Sequence, residues 1–187
     1  VLTGMYPEQT GVQDNAVDFR TTAPDAVSLP EWFRHHGYRT VGMGKIFHHG
    51  HQDNPADKSW DRWVHVGGPG YLSKENIELT RKKREQIAER KAAGETFTPH
   101  QKFVLTIGPA TEAAEADETL YPDGQIANNA VEVLREIKKH EKPFFLAVGF
   151  LKPHLPLIVP KKYWNLYDPA SFAYPATDDL PEGAPSY

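Results

Sequence analysis

The 187-residue sequence contains no cysteine. That removes disulfides, thiolate metal sites and a cysteine nucleophile from the chain as written. It leaves compartment open, because secreted proteins also occur without cysteine. Long apolar runs are missing too. The longest, Phe144 to Leu151, falls far short of the roughly 20 residues a membrane-spanning helix needs, and suits a buried strand. Positive charge is not in excess. Lys and Arg number 21 against 25 Asp and Glu, for a formal net charge of −4. A general nucleic-acid surface wants a basic excess, so that class of partner is excluded. A small anion is not excluded, since one local cluster of Lys and His can hold it. The chain has no glycine-rich phosphate cradle of the P-loop or dinucleotide type, no Gly-x-Ser-x-Gly elbow and no sequon for N-glycosylation.

What is present is ordinary globular material, 39% hydrophobic and 25% charged, at about the length of one domain. Val1 is not an initiator methionine and no signal-like segment follows it. The expectation is a removed leader or a piece of something longer.

Val1 to Gly4 reads as the end of an element, closed by Gly4. Tyr6 to Pro24 is rich in turn formers and predicts loop. Ser28-Leu29-Pro30-Glu31 is a capping box with proline in the first turn, predicting a short helix that Gly37 ends. Tyr38 to Met43 predicts a strand, which Gly44-Lys45 leaves into a loop. Ser59 to Tyr71 reads as irregular. Lys74 to Ala93 has strong helical propensity but sparse apolar positions, predicting an exposed helix. A short strand is expected around Phe103 to Ile107. Within Asp123 to Glu141, Ile126, Ala130, Val133, Leu134 and Ile137 recur at helical spacing, with Lys138, Lys139 and His140 at the end the helix dipole favours. Lys142-Pro143 breaks that helix. Phe144 to Phe150 then predicts a strand covered on both faces. Little regular structure is expected from Tyr163 to Tyr187. The alternation predicts an α/β fold, in which ligands sit beyond the carboxyl ends of strands.

Two strand ends carry the chemistry. Lys45 follows a glycine at one of them, and His48 lies three residues on. An ammonium and an imidazole together suit an oxyanion that must be gripped while a proton moves. The plainer reading is a loop lysine and a surface histidine. His154 emerges from the second strand between Pro153 and Pro156, which restrict its backbone. That is a rigid mount for an anion-binding or catalytic imidazole, or equally a histidine that caps a strand; Lys152 beside it could serve the same anion. His48, His49, His51 and Asp53 could be metal ligands, but the spacing fits no standard zinc site and a solvated loop explains it better. The pairs Asp117-Glu118 and Asp178-Asp179 could bind calcium or do acid–base work; their turn-rich context favours solvated turns. His35-His36 at a helix end needs only the helix dipole.

Taken in order, several stretches resemble the sulfatases of the alkaline-phosphatase superfamily, in particular the iduronate-2-sulfatase-like branch. Leu2-Thr3-Gly4-Met5-Tyr6-Pro7 is similar to the L-T-G-x-x-P that follows the family's formylglycine motif, C/S-x-P-S-R. Leu29-Pro30 through Gly37-Tyr38-Arg39-Thr40 resembles its helix and following strand, and Gly44-Lys45-Ile46-Phe47-His48 its G-K-x-x-H. The stretch from Lys142 to Phe150 and then Lys152-Pro153-His154-Leu155-Pro156 resembles its P-F-F-L-A-V-G-[YF]-x-K-P-H-x-P block, the most specific match. Asp179-Leu180-Pro181-Glu182-Gly183 continues the likeness.

The resemblance implies an α/β, alkaline-phosphatase-like sandwich with a central, mostly parallel sheet flanked by helices, here incomplete. Residues 1–187 would be the central segment of the N-terminal catalytic domain, with 72–118 a variable insertion. It implies sulfate-ester hydrolysis on sulfated carbohydrate such as 2-sulfated uronate units. Lys45 would bind the sulfate and the formylglycine side chain, and His48 would contact the hydrated aldehyde and help expel sulfate. His154 would bind the substrate sulfate and assist the leaving oxygen. Lys152 matches the motif without a catalytic assignment. The family's cofactors are Ca²⁺ and formylglycine, and neither site is expected complete here: the nucleophile motif would lie before Val1, and the metal ligands outside the chain. The segment alone is therefore expected to be inactive, and to lack flanking parts of its own domain. Location by resemblance is periplasmic, secreted or lysosomal. A phosphomonoester or phosphonate hydrolase of the same superfamily, and a non-catalytic anion- or carbohydrate-binding relative, stand as alternatives.

Overall fold

The computed structural model describes residues 1–48, 58–68, 70–174, 177 and 180–184. In chain order the elements are α1 (Pro7–Thr10), α2 (Phe19–Thr22), α3 (Leu29–His35), β1 (Arg39–Gly44), β2 (Arg62–Val64), α4 (Lys74–Ala92), α5 (Pro99–Thr106), β3 (Thr111–Ala114), α6 (Pro122–Ile137), β4 (Phe144–Gly149), β5 (Leu157–Pro160) and α7 (Lys161–Trp164). Single 3₁₀ turns cover Glu118–Leu120 and Pro169–Ser171.

The sheet that matters most has the order β2-β1-β4, with every neighbour parallel. Its register puts Val41, Met43, Leu146 and Val148 on one face. Alternation along a strand makes that face apolar, and α6 packs on it. Ile126, Val133 and Ile137 of α6 close over Val41 and Met43, all five buried. Burying each such side chain is worth about 1.5–3 kcal/mol. The opposite face is covered by rings: Phe145 stacks on Phe33 of α3 at 4.7 Å, and Trp60 lies 5.6 Å from Trp63.

Polar groups, those of Arg20, Ser28, Glu31 and Ser59 buried and those of Arg34 and Asp61 partly exposed, tie the periphery to this core. The Ser28 hydroxyl and the Glu31 carboxylate cap α3 reciprocally, as the capping box predicts. Arg20 pairs with Glu31 at 2.7 Å, both side chains only 5% exposed. The same guanidinium donates to the Ala26 carbonyl and the Ser59 hydroxyl. Asp61 accepts from the Thr40 amide at 2.9 Å and from Arg34 at 2.8 Å. Burial works to raise the Asp61 pKa, but these bonds outweigh it and hold the carboxyl below its usual range.

A second, two-stranded parallel sheet joins β3 to β5. Glu112 of β3 is buried and accepts from the Leu72 amide, the Ser73 amide and hydroxyl, and the Asn76 side chain. Its carboxylate thus sits at the N-terminus of α4, where exposed amides and the dipole favour negative charge. Burial opposes that charge, yet the donors prevail and the pKa is lowered.

Several expectations need correcting. The segment 103–107 is mostly the helix α5, not a strand. Thr98 caps it, Pro99 opens it, and Gln101 completes a capping box. The region 59–71 contains β2, and 6–24 contains two one-turn helices. Leu134 does not join the buried stripe of α6; it is 43% exposed beside Val131. β4 is not covered throughout: no residue of it is fully buried, since among the described residues its only strand partner is β1. The expected exposed helix is present, with only Thr80 and Ile87 of α4 buried.

Candidate active site

β1 and β4 run parallel in register and end at the same level, Gly44 opposite Gly149. A side chain fits at neither position. Gly44 has φ +73°, and a Cβ there would stand 2.0 Å from the Gly149 oxygen. A Cβ on Gly149 would stand 2.1 Å from the Lys45 oxygen. The strand ends therefore touch backbone to backbone, fastened by the Lys45 amide donating to the Gly149 carbonyl at 2.8 Å. From this paired end the chain leaves in two arms.

The first arm carries Lys45 and His48. The Lys45 ammonium lies 3.3 Å from Nδ1 of His48. An ammonium only donates, so Nδ1 accepts and the imidazole keeps its proton on Nε2. The second arm is the turn from Leu151 to Pro156, with cis peptide bonds at Lys152-Pro153 and Leu155-Pro156. Asp123, in the first turn of α6, accepts from the Leu151 amide at 2.7 Å and the Lys152 amide at 3.0 Å. Lys152 reaches across the turn and donates to the carbonyls of Pro156 at 2.7 Å and His154 at 3.2 Å. Its ammonium thus holds the turn together. Nδ1 of His154 lies 2.6 Å from the Leu155 carbonyl oxygen. A carbonyl only accepts, so this Nδ1 bears the proton and Nε2 is left for a ligand.

Lys45 and His154 line one cleft of about 570 Å³, bounded also by Tyr121, Asp123, Lys152 and Tyr163. That volume lies in the range of small-ligand sites. His48 touches the Lys45 ammonium but is not among the residues that line the cleft. Tyr121 donates to the Val159 carbonyl at 3.2 Å, and burial followed by the charge of Glu112 pushes its phenol pKa up. It stays protonated and neutral at physiological pH. Glu118, on the wall, accepts from Lys162 at 2.6 Å and from the Tyr163 hydroxyl at 2.5 Å. The Lys162 and Tyr163 hydrogen bonds hold its carboxyl below the ordinary range.

The cleft is therefore lined by two lysines, Lys45 and the turn-bound Lys152, and by one imidazole, His154, offering Nε2. This suits an anion whose oxygens must be held while one receives a proton. It does not suit calcium, which takes six to eight oxygen ligands. Asp123 is engaged by backbone amides and Glu118 by Lys162 and Tyr163. No group of three or more His, Asp or Glu that could hold a metal occurs among the described residues. Of the run considered for zinc, His49, His51 and Asp53 lie outside the described residues, as does the pair Asp178-Asp179. Asp117 caps the turn at Glu118–Leu120, where the solvated-turn reading put it. Asp123 was legible only as part of a helix start; proline followed by an acidic residue marks such a start but not the tie to the turn after β4.

Comparison with known proteins adds the following. A family model described as Sulfatase matches residues 1–175. The human iduronate 2-sulfatase is 30% identical over 184 residues, covering 98% of this chain and 31% of that protein. A sulfatase of Formosa agariphila is 34% identical over 191 residues, covering 96% of this chain and 34% of that protein. The chain thus spans about a third of the length of the curated relatives it matches. The crystal structure of Ps i-CgsB in complex with k-i-k-neocarrahexaose superposes with a TM-score of 0.51. That match covers 92% of this chain and 37% of that one at 20% identity, a likeness of fold alone.

Proposed function

Since this chain belongs to the sulfatase family, we propose that it carries the sulfate-gripping part of a sulfuric ester hydrolase. The observation that carries this reading is that Lys45 and His154, from the ends of two adjacent parallel strands, line one cleft. The substrate is a sulfated carbohydrate, such as a chain bearing 2-sulfated uronate units. Lys45 binds a sulfate oxygen and offsets the negative charge there. His154 binds the ester through Nε2–H when its ring is charged, and gives that proton to the alcohol oxygen as the sulfur–oxygen bond breaks. His48, whose Nδ1 lies 3.3 Å from the Lys45 ammonium, would hold that ammonium in place and contact the nucleophile of the complete site.

The cleft residues do not fit calcium, and the chain holds neither a cysteine nor a C/S-x-P-S-R run. By the same reading the whole protein works in the periplasm, outside the cell or in lysosomes. No helix among the described residues is long and apolar enough to cross a membrane.

The test is sulfate release by the full-length protein from 4-nitrophenyl sulfate and sulfated oligosaccharides, with 4-nitrophenyl phosphate alongside. Lys45→Ala and His154→Ala each lower kcat/KM for sulfate esters by about 100-fold or more, the loss expected for a positioned charge or proton donor. The 187-residue chain alone gives no turnover. Preference for the phosphate ester, or sulfate release by the isolated chain, overturns the reading.

A further inference from the structure

The cleft is larger than a sulfate needs. At about 570 Å³ it extends past Lys45 and His154 to a wall built from the turn at Glu118 and the start of α7. Apolar surface from Leu155, Pro156, Val159 and Pro160 lies along the way. On that wall the Tyr163 hydroxyl and the Lys162 ammonium both bond Oε2 of Glu118. The other carboxylate oxygen has no partner among the described residues. Carboxylate and ammonium together bring little net charge to the wall. A phenol ring and aliphatic surface beside a hydrogen-bond acceptor suit one ligand class: a ring with an apolar face and hydroxyls at its edge.

We infer that Glu118 and Tyr163 form a subsite for a neutral pyranose ring, the neighbour of the ring whose sulfate lies at Lys45 and His154. Oε1 of Glu118 accepts a sugar hydroxyl, and the Tyr163 ring, over which the Lys162 ammonium lies at 4.8 Å, packs its other face on the sugar's apolar face. The substrate is then an oligosaccharide read over two rings, with a neutral sugar beside the sulfated one. This rests on the proposed sulfate site, so the experiment reads the two separately.

The full-length protein is applied to an array of sulfated and desulfated oligosaccharides from heparan, chondroitin and galactan, and inorganic sulfate is titrated calorimetrically. The wild type retains at least one sulfated glycan containing a neutral ring. Glu118→Gln and Tyr163→Ala each lower the ratio of glycan affinity to sulfate affinity by about ten-fold, as expected for one lost hydrogen bond to a charged group or one lost ring contact. Lys45→Ala, in contrast, weakens binding of inorganic sulfate. If neither variant changes the ratio, or no array glycan is retained, the subsite is overturned. If Lys45→Ala leaves sulfate binding intact, the sulfate site itself has failed, and that outcome is distinct from the first.

Discussion

Gly149→Ala puts the junction of the two arms under direct test. The added Cβ would stand 2.1 Å from the Lys45 oxygen, 2.5 Å from its carbonyl carbon and 2.9 Å from a methyl of Ile46. The methyl can turn away, but the carbonyl belongs to the backbone that Gly149 itself fastens. Ordinary contact begins at 3.4 Å, so β1 and β4 must part by about 1.3 Å at their ends. Overpacking of this kind costs about 1–3 kcal/mol. The same shift separates the Lys45 arm from the His154 arm, and a misplacement of about 1 Å can cost 100-fold in rate. In the full-length protein, Gly149→Ala is expected to lower the unfolding temperature by several degrees. It should also lower kcat/KM for sulfate esters by about 100-fold. Gly67→Ala, where an added Cβ meets nothing within 4 Å, is the control. Wild-type stability and activity in Gly149→Ala would refute the claim that the paired glycines set the spacing of the arms.

Other outcomes follow from the same structure. Asp123→Asn leaves an amide facing the Leu151 and Lys152 amides and should lower kcat/KM by about ten-fold, with partial rescue by Asp123→Glu; both are read by steady-state kinetics. Glu31→Ala strands the buried Arg20 guanidinium and should destabilise by about 3–5 kcal/mol, measured by urea unfolding. Glu112 has a depressed pKa, so its stabilisation is complete above the ordinary glutamate value of 4.5 and is lost as pH falls through the lower folded value. Thermal unfolding followed from pH 7 to pH 3 should therefore show a shallower acid loss in Glu112→Gln than in the wild type.

Elements with local signals were legible in the sequence. Ser28 and Glu31 announce α3, the spacing from Ile126 to Ile137 announces α6, and the apolar run from Phe144 announces β4. Lys45 and His154 were legible because each follows such a strand. The misread segment 103–107 shows how an apolar stretch with Val and Ile mimics a strand. Its true signal was upstream, in Thr98-Pro99 and Gln101, the same signature as at Ser28. β2, β3 and β5 are three or four residues long and exist through pairing with distant segments. Local sequence holds little record of such pairing. The tie from Asp123 to the turn after β4 is hidden for the same reason, since its partners lie 28 and 29 residues away.

The pairing of β3 with β5 has a bearing on how such a cleft could diversify. β5 follows directly on the His154 turn, and β3 ends the excursion that includes α4 and α5. Lys45 is anchored in the other sheet. A change in the excursion would therefore reach the far wall, and the His154 turn beside it, through one strand pair, while Lys45 stayed fixed by its own sheet. The His154 turn is thus the shortest stretch of chain that joins the sheet anchoring Lys45 to the sheet bordering the far wall.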